Sequence, residues 1–202
     1  MIACLLLSAG VSQRFGSLKA LAKLNGETIV TYLQKLLLDT GLHEIIVVLG
    51  ANAEDLKPFI LKHKQVRFVY NKDYNLGQTS SFKSGLQHLD AHCQGVLLLP
   101  IDYPWIKKAT LETLCGVFSK KKPAILVPIF NGRRGHPPVF ATYLKTEFLA
   151  LNNDLGINTL AHHHQKETIL LPVDDPGVIT TFNTKEEFEK IKQRFNVGKA
   201  NS

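Results

Sequence analysis

Three cysteines among 202 residues, Cys4, Cys93 and Cys115, form an odd set without Cys-x-x-Cys spacing, which excludes a disulfide framework and a cysteine-built zinc site. They read as buried thiols. The longest apolar runs are strand-sized, well short of the roughly 18 to 20 residues that cross a bilayer, so no membrane partner is expected. No basic segment followed by an apolar stretch and a small-residue cleavage site opens the chain, and the expected location is cytoplasmic. Gly-x4-Gly-Lys-Ser/Thr is absent and Gly-x-Gly-x-x-Gly does not follow the first strand, which removes the two commonest phosphate loops. No repeat, low-complexity tract or flexible linker divides the chain, so one domain is expected over 1–195, with a frayed tail over 196–202. His162, His163 and His164 are consecutive on an expected helix, point about 100° apart and cannot converge on one ion. No Ser/His/Asp or Cys/His arrangement can be argued from spacing. The balance of 24 basic against 17 acidic residues, net +7, favours polyanionic ligands. Nucleic acid is disfavoured among them, because no aromatic stacking platform is interleaved with the basic residues.

What is present is an alternation. Apolar, β-branched runs at Ile2–Leu7, Glu44–Leu49, Val66–Tyr70, Val96–Leu99, Ala124–Ile129 and Thr168–Val173 read as strands. Helical patterns lie between them, at Thr28–Thr40, Ala53–Leu61, Thr79–Leu89, Thr110–Phe118, Tyr143–Leu151, Ile157–His164 and Thr184–Phe195. The expectation is an α/β fold: a single-domain, Rossmann-like three-layer sandwich whose mostly parallel sheet is covered on both faces. In the first helix Ile29, Tyr32, Leu33, Leu36 and Leu37 form a core-facing stripe, with Gly41 placed to end it. Asn183 and Thr184 are candidate caps of the last helix. Asn131–Pro138 predicts a hairpin leading to Val139 and Phe140.

Ligands of open parallel sheets bind beyond the carboxyl ends of the strands, so the loops there carry the functional expectation. The first, Ser8-Ala9-Gly10-Val11-Ser12-Gln13-Arg14-Phe15-Gly16-Ser17-Leu18-Lys19, holds two glycines, three serines and two cations and no acidic residue. Backbone N–H groups and cations can there approach a polyphosphate, most simply a nucleoside triphosphate, without steric obstruction or charge repulsion. The second, Pro100-Ile101-Asp102-Tyr103-Pro104, places a carboxylate after a run that should be buried; Asp102 suits Mg²⁺, or else forms a turn or caps a helix. The third runs from Asn71 through Gly77, Thr79, Ser80 and Ser81 to Gly85, where a glycine and hydroxyls at a helix start can bind a base edge, ribose or phosphate, or simply cap the helix. The fourth, Arg133-Arg134-Gly135-His136-Pro137, offers a guanidinium fork and an imidazole to a phosphate or pterin, or else is a solvated hairpin tip.

The form Leu7-Ser8-Ala9-Gly10-x-Ser12-x-Arg14-Phe15-Gly16-x-x-Lys19 resembles the signature loop of molybdenum-cofactor cytidylyltransferases and related nucleotidyltransferases. The resemblance extends in order through Asn71 to Gly85, Pro100 to Pro104, Gly132 to Pro137 and Val173 to Glu187. It implies the nucleotide-diphospho-sugar transferase type of fold and Mg²⁺-dependent transfer of a nucleoside monophosphate to a phosphorylated acceptor, with release of pyrophosphate. Lys19, Arg14 and Asp102 are implied as catalytic. Leu7, Ser8, Ala9, Gly10, Ser12, Gly16, Asn71, Gly77, Ser80 and Ser81 are implied as nucleotide-binding. Arg133, Arg134 and His136 lie on the implied acceptor side, with Asp102 and Asn183 as the metal ligands. Two departures matter: Ser8 stands for the usual first alanine, and Thr181 and Asn183 stand where two aspartates are usual. Ala9-Gly10 keeps the form that favours CTP over GTP. The implied acceptor is molybdopterin or molybdenum cofactor, with a molybdoenzyme or chaperone as a possible protein partner. A sugar or polyol phosphate acceptor, and a non-catalytic nucleotide-binding or cofactor-handling module, are the alternatives.

Overall fold

The computed structural model describes residues 1–200, with side chains described to Phe195. In chain order the strands are β1 Ile2–Ser8, β2 Lys23–Leu24, β3 Glu27–Thr28, β4 Glu44–Leu49, β5 Val66–Tyr70, β6 Gly95–Pro100, β7 Ile125–Phe130, β8 Arg133–Arg134, β9 Val139–Ala141 and β10 Thr168–Pro172. The helices are α1 Ile29–Leu38, α2 Ala53–Leu56, α3 Gln78–Gln87, α4 Lys108–Lys121, α5 Lys145–Ala150, α6 Asn158–His163 and α7 Lys185–Ala200. The main sheet runs β10-β7-β9-β6-β1-β4-β5, with β8 paired to β7. β1, β4, β5 and β6 are parallel, and so are β7 and β10; β9 is antiparallel between β6 and β7, where the expected hairpin returns the chain.

Alternation along β1 shows why three layers form. Cys4 and Leu6 face one side, with Leu33 and Leu37 of α1, Leu111 and Leu114 of α4 and Phe188 of α7; Leu5 and Leu7 face the other, with Phe82 and Leu86 of α3, Phe148 of α5 and Leu160 of α6. Every residue of β1, β4 and β6 is buried. At about 1.5–3 kcal/mol for each large aliphatic side chain removed from water, these strands dominate the stabilisation of the domain.

Several bounds differ from expectation for local reasons. α2 stops at Leu56 and continues only as a 3-10 turn over Lys57–Phe59, because Pro58 has no N–H to extend the ladder. α4 runs three residues further, to Lys121, with Lys120 and Lys121 at its negative end. β2 and β3 form a small hairpin around Asn25 (φ 52°) and Gly26 (φ 86°), the left-handed pair that a tight two-residue turn demands. α7 continues to Ala200 rather than ending at Phe195, and residues 201–202 of the expected tail lie outside the described residues. Cys4 and Cys93 are buried, whereas Cys115 is only half-buried. Burial pushes the Cys93 thiol up to about 12, the nearby Glu44 and Asp90 carboxylates adding to the shift. Among the described residues no helix is long and apolar enough to cross a membrane.

Candidate active site

Strand register brings two loops together. Leu7 pairs with Pro100, and the Ile101 N–H donates to the Leu7 carbonyl at 3.0 Å, so the loops after β1 and β6 leave the sheet side by side. They border a cleft of about 480 Å³, the size of a small-molecule site, at the carboxyl ends of the parallel strands. Gly50, at the end of β4, makes room for the first loop: a Cβ there would lie 2.3 Å from the Ala9 carbonyl oxygen.

The loop after β1 is set by its own backbone and by one aromatic anchor. Ser12 is held in the left-handed region at φ 53°, at a cost of order 1–3 kcal/mol for a residue with a side chain. Its Oγ accepts from the Lys19 N–H at 3.3 Å, tying the two ends of the loop. Phe15, 4% exposed, meets Phe182 at 5.4 Å and Phe188 at 6.1 Å in edge-on contacts. Trp105, just past Asp102, reaches Phe182 at 5.6 Å and Phe188 at 5.8 Å. This cluster joins the β1 loop, the β6 loop and the segment entering α7.

The polar groups on those three segments converge. Lys19 Nζ donates to the Phe182 carbonyl at 2.6 Å, to Asn183 Oδ1 at 3.3 Å and to Asp102 Oδ2 at 3.4 Å, while Arg14 donates to Asn183 Oδ1 at 3.2 Å. Asn183 is available because Thr184 is the cap: its Oγ1 accepts from the Glu187 N–H at 3.1 Å and the Glu187 carboxylate accepts from the Thr184 N–H at 3.3 Å, forming a capping box, and also from the Asn183 N–H at 2.7 Å. Asp102 caps no helix either, since α4 begins at Lys108. The buried partner of that helix start is Asp175, which is 0% exposed. It accepts from the Lys107 N–H at 2.8 Å, the Thr110 hydroxyl at 2.7 Å and the Gly177 N–H at 2.9 Å. Asp175 thus ties the β6 loop to the segment carrying Phe182 and Asn183.

The donor set can be tested against a divalent cation. Asp102 supplies a carboxylate, Asn183 an amide oxygen and Phe182 a backbone carbonyl, all hard oxygens of the kind Mg²⁺ and Ca²⁺ take. Among the described residues no group of three or more His, Cys, Asp or Glu could hold a metal. A cation here fits as one bound by few protein oxygens, with substrate phosphates completing its shell.

The other expected residues divide. Leu7, Ser8, Ala9, Gly10, Ser12, Arg14, Lys19, Gly77, Ser81, Asp102 and Asn183 line the cleft; Gly16, Asn71 and Ser80 do not. Asn71 is 4% exposed, and its amide donates to Ser80 Oγ at 3.0 Å and Ser81 Oγ at 3.1 Å. Ser80 Oγ in turn donates to the Asp73 carbonyl at 2.7 Å or the Gly77 carbonyl at 2.9 Å. These groups are occupied in shaping the third loop, and Tyr74 and Gln78, which sequence reasoning passed over, face the cleft from it. Thr79 caps nothing: its hydroxyl donates to the Leu155 carbonyl at 2.7 Å.

Arg133, Arg134 and His136 also lie off the cleft lining. The two arginines are exposed, whereas His136 packs on Tyr103 with ring centroids 4.5 Å apart. Burial lowers the His136 pKa, with a carbonyl hydrogen bond at Leu98 and the Asp102 charge opposing the shift. Burial raises the Tyr103 pKa, Asp102 adds to the rise and Arg133 opposes it. The Tyr103–His136 contact and these linked charges bring the fourth loop close to Asp102. Phe15, Trp105, Phe182 and Asp175 were not singled out from sequence; the run Asp175-Pro176-Gly177, which closes a side-chain turn, was the available signal for the last.

The sequence and the fold are similar to those of known proteins. Residues 4–168 match the family of the MobA-like NTP transferase domain. A probable molybdenum cofactor guanylyltransferase of Bacillus cereus is 30% identical over 69% of this chain, a match that spans 66% of that protein's length. Nicotine blue oxidoreductase of Paenarthrobacter nicotinovorans is also 30% identical, over 92% of this chain and 94% of its own. A solved nucleotidyl transferase from Methanothermobacter shares the fold, with a TM-score of 0.82, 22% identity and coverage of 98% and 99% of the two chains.

Proposed function

The chain belongs to the MobA-like NTP transferase family, and from that premise we propose that it transfers a nucleoside monophosphate from a triphosphate to the terminal phosphate of a small acceptor, releasing pyrophosphate. The observation that carries the proposal is the convergence of Lys19 and Arg14 with Asp102 and Asn183 across one cleft. We propose CTP as the donor, on the Ala9-Gly10 form of the loop. GTP is the alternative, supported by the name of the guanylyltransferase relatives. The proposed acceptor is a phosphorylated pterin of the molybdenum-cofactor type, held by Arg133, Arg134 and His136.

The reaction must bring two anions together. In this reading the backbone N–H groups of the Ser8–Lys19 loop hold the triphosphate, and Arg14 and Lys19 offset charge on the reacting and departing phosphates. Asp102 and Asn183 would hold Mg²⁺, which would supply positive charge to the reacting phosphates. Tyr74 and Gln78 line the same cleft, and in this reading they meet the base. Positioning and electrostatics supply the acceleration, and no protein nucleophile is required.

The test is pyrophosphate release from each of the four NTPs, with Mg²⁺ and a pterin monophosphate, sugar phosphate or polyol phosphate acceptor. Release with CTP and the pterin is the expected result. Release with GTP alone corrects the base, and release with a sugar phosphate alone corrects the acceptor. A second reading, an oxidoreductase on the same scaffold, is favoured by the relative that aligns over 92% of the chain. No release with any NTP overturns the transferase reading; redox turnover in its place would favour the second.

A further inference from the structure

The strongest unexplained feature of the cleft is how completely Lys19 is engaged. Its ammonium has three protons, and it has three oxygen partners: the Phe182 carbonyl at 2.6 Å, Asn183 Oδ1 at 3.3 Å and Asp102 Oδ2 at 3.4 Å. The Phe182 ring adds a cation–π contact at 5.2 Å, and the Lys19 side chain is only 13% exposed. In this arrangement the ammonium has no donor left for a phosphate. Its three partners are also the hard oxygens that suit a divalent cation at this place.

We propose that the Lys19 ammonium and a divalent cation compete for this one set of oxygens, so that the cation is taken up together with the triphosphate that draws Lys19 away. The inference rests on the transferase reading of the cleft and adds an order of events to it. Two cations cannot share Asp102 Oδ2, Asn183 Oδ1 and the Phe182 carbonyl at contact distance, because the one negative charge among those oxygens, on Asp102, is too little to offset the repulsion of an ammonium and a divalent ion. Spacing favours the ammonium: oxygens at 2.6–3.4 Å suit an N–H donor, whereas Mg²⁺ requires them at about 2.0–2.1 Å and keeps a near-octahedral shell. A triphosphate changes the balance twice over, giving Lys19 new acceptors and giving the metal the oxygens it lacks. The Lys19 backbone need not move, since its N–H stays on Ser12 Oγ while the four-carbon stem swings. Arg14, on Asn183 Oδ1, would be released in the same step. The consequence is that Lys19 guards the site against bare divalent cations and admits the metal–nucleotide complex.

The test uses Mn²⁺ as the probe, with binding read by the loss of the free-ion electron spin resonance signal. Without nucleotide, Lys19→Met and Lys19→Gln should each bind Mn²⁺ about tenfold or more tightly than the wild-type protein. Asp102→Asn introduced into either variant should remove that gain. Equal Mn²⁺ affinity in the wild type and a folded Lys19 variant overturns the competition. The underlying reading is checked separately by calorimetry with a non-hydrolysable CTP or GTP analogue: Mn²⁺-dependent uptake that weakens in Asp102→Asn upholds it, and no uptake defeats it, whatever the nucleotide-free titration gives.

Discussion

Replacing Asp175 probes the connection on which the site depends. Its carboxylate is 0% exposed and accepts three hydrogen bonds, two from backbone N–H groups and one from the Thr110 hydroxyl. Asp175→Ala leaves two buried donors, the Thr110 hydroxyl and the Gly177 N–H, and the half-buried Lys107 N–H without an acceptor, each buried one worth about 1–3 kcal/mol when orphaned. Allowing for relaxation and non-additivity, the expected loss is about 3–5 kcal/mol, an unusually large value for one substitution. For a chain of this length that corresponds to a drop in Tm of about 6–20 °C. Asp175→Asn keeps one acceptor oxygen but turns an amide N–H toward a donor, and should cost about 1–2 kcal/mol. Urea unfolding followed by circular dichroism measures both. The Asn variant should also lose nucleotide affinity, because this carboxylate fastens the segment that brings Phe182 and Asn183 to Lys19 onto Lys107 and Thr110 at the start of α4. A loss below about 1 kcal/mol in Asp175→Ala would refute the argument that this buried carboxylate holds the two loops together.

Lys19→Ala and Asp102→Ala should each lower the rate of pyrophosphate release by about 10²-fold or more in steady-state assays, and full activity in either cancels its assigned role. Thr184→Ala should cost about 1 kcal/mol through loss of the α7 cap while leaving Asn183 on Lys19, so denaturation shifts with little change in KM. His164 bonds Glu147 at 2.8 Å and Glu167 at 3.2 Å, and the Glu147 hydrogen bond is the main cause of its raised pKa. Its stabilisation is therefore present below about pH 6.5 and lost as pH rises through the folded value. Burial lowers the His136 pKa, so its contribution has the opposite sense: present above about pH 6.5 and lost as pH falls toward the folded value. Two-dimensional NMR titration of the two imidazoles reads both directions.

How far the sequence reaches depends on how local the cause is. β1, β4 and β6 are legible because a strand buried on both faces is a near-continuous apolar run, β5 at the sheet edge is legible from its β-branched and aromatic residues, and the parallel sheet follows from the helices between those runs. The Asn25-Gly26 hairpin was also legible in principle, but its strands are two residues each and too short to show a period. The convergence of the β1 loop with Asp102 followed from the rule for carboxyl ends of parallel strands, and the Leu7–Pro100 pairing realises it. Spacing could not tell which polar residues face the cleft and which hold a loop. Ser80 and Ser81 are neighbours, yet Ser80 closes the loop on Asp73 and Gly77 while Ser81 lines the cleft. Nor could it separate Asn183 from Thr184 as cap, a choice settled by the Glu187 N–H, which donates to Thr184 Oγ1. The aromatic cluster around Phe182 joins residues far apart in the chain, so only the folded contacts reveal it.

The most direct test of the account is a crystal structure with Mn²⁺ and a non-hydrolysable CTP analogue, the metal located by its anomalous signal. The account predicts phosphates along the Ser8–Lys19 loop, Lys19 turned onto them, and the cation within about 2.2 Å of an Asp102 oxygen. A nucleotide seated elsewhere, or a metal that leaves Asp102 untouched, would contradict it.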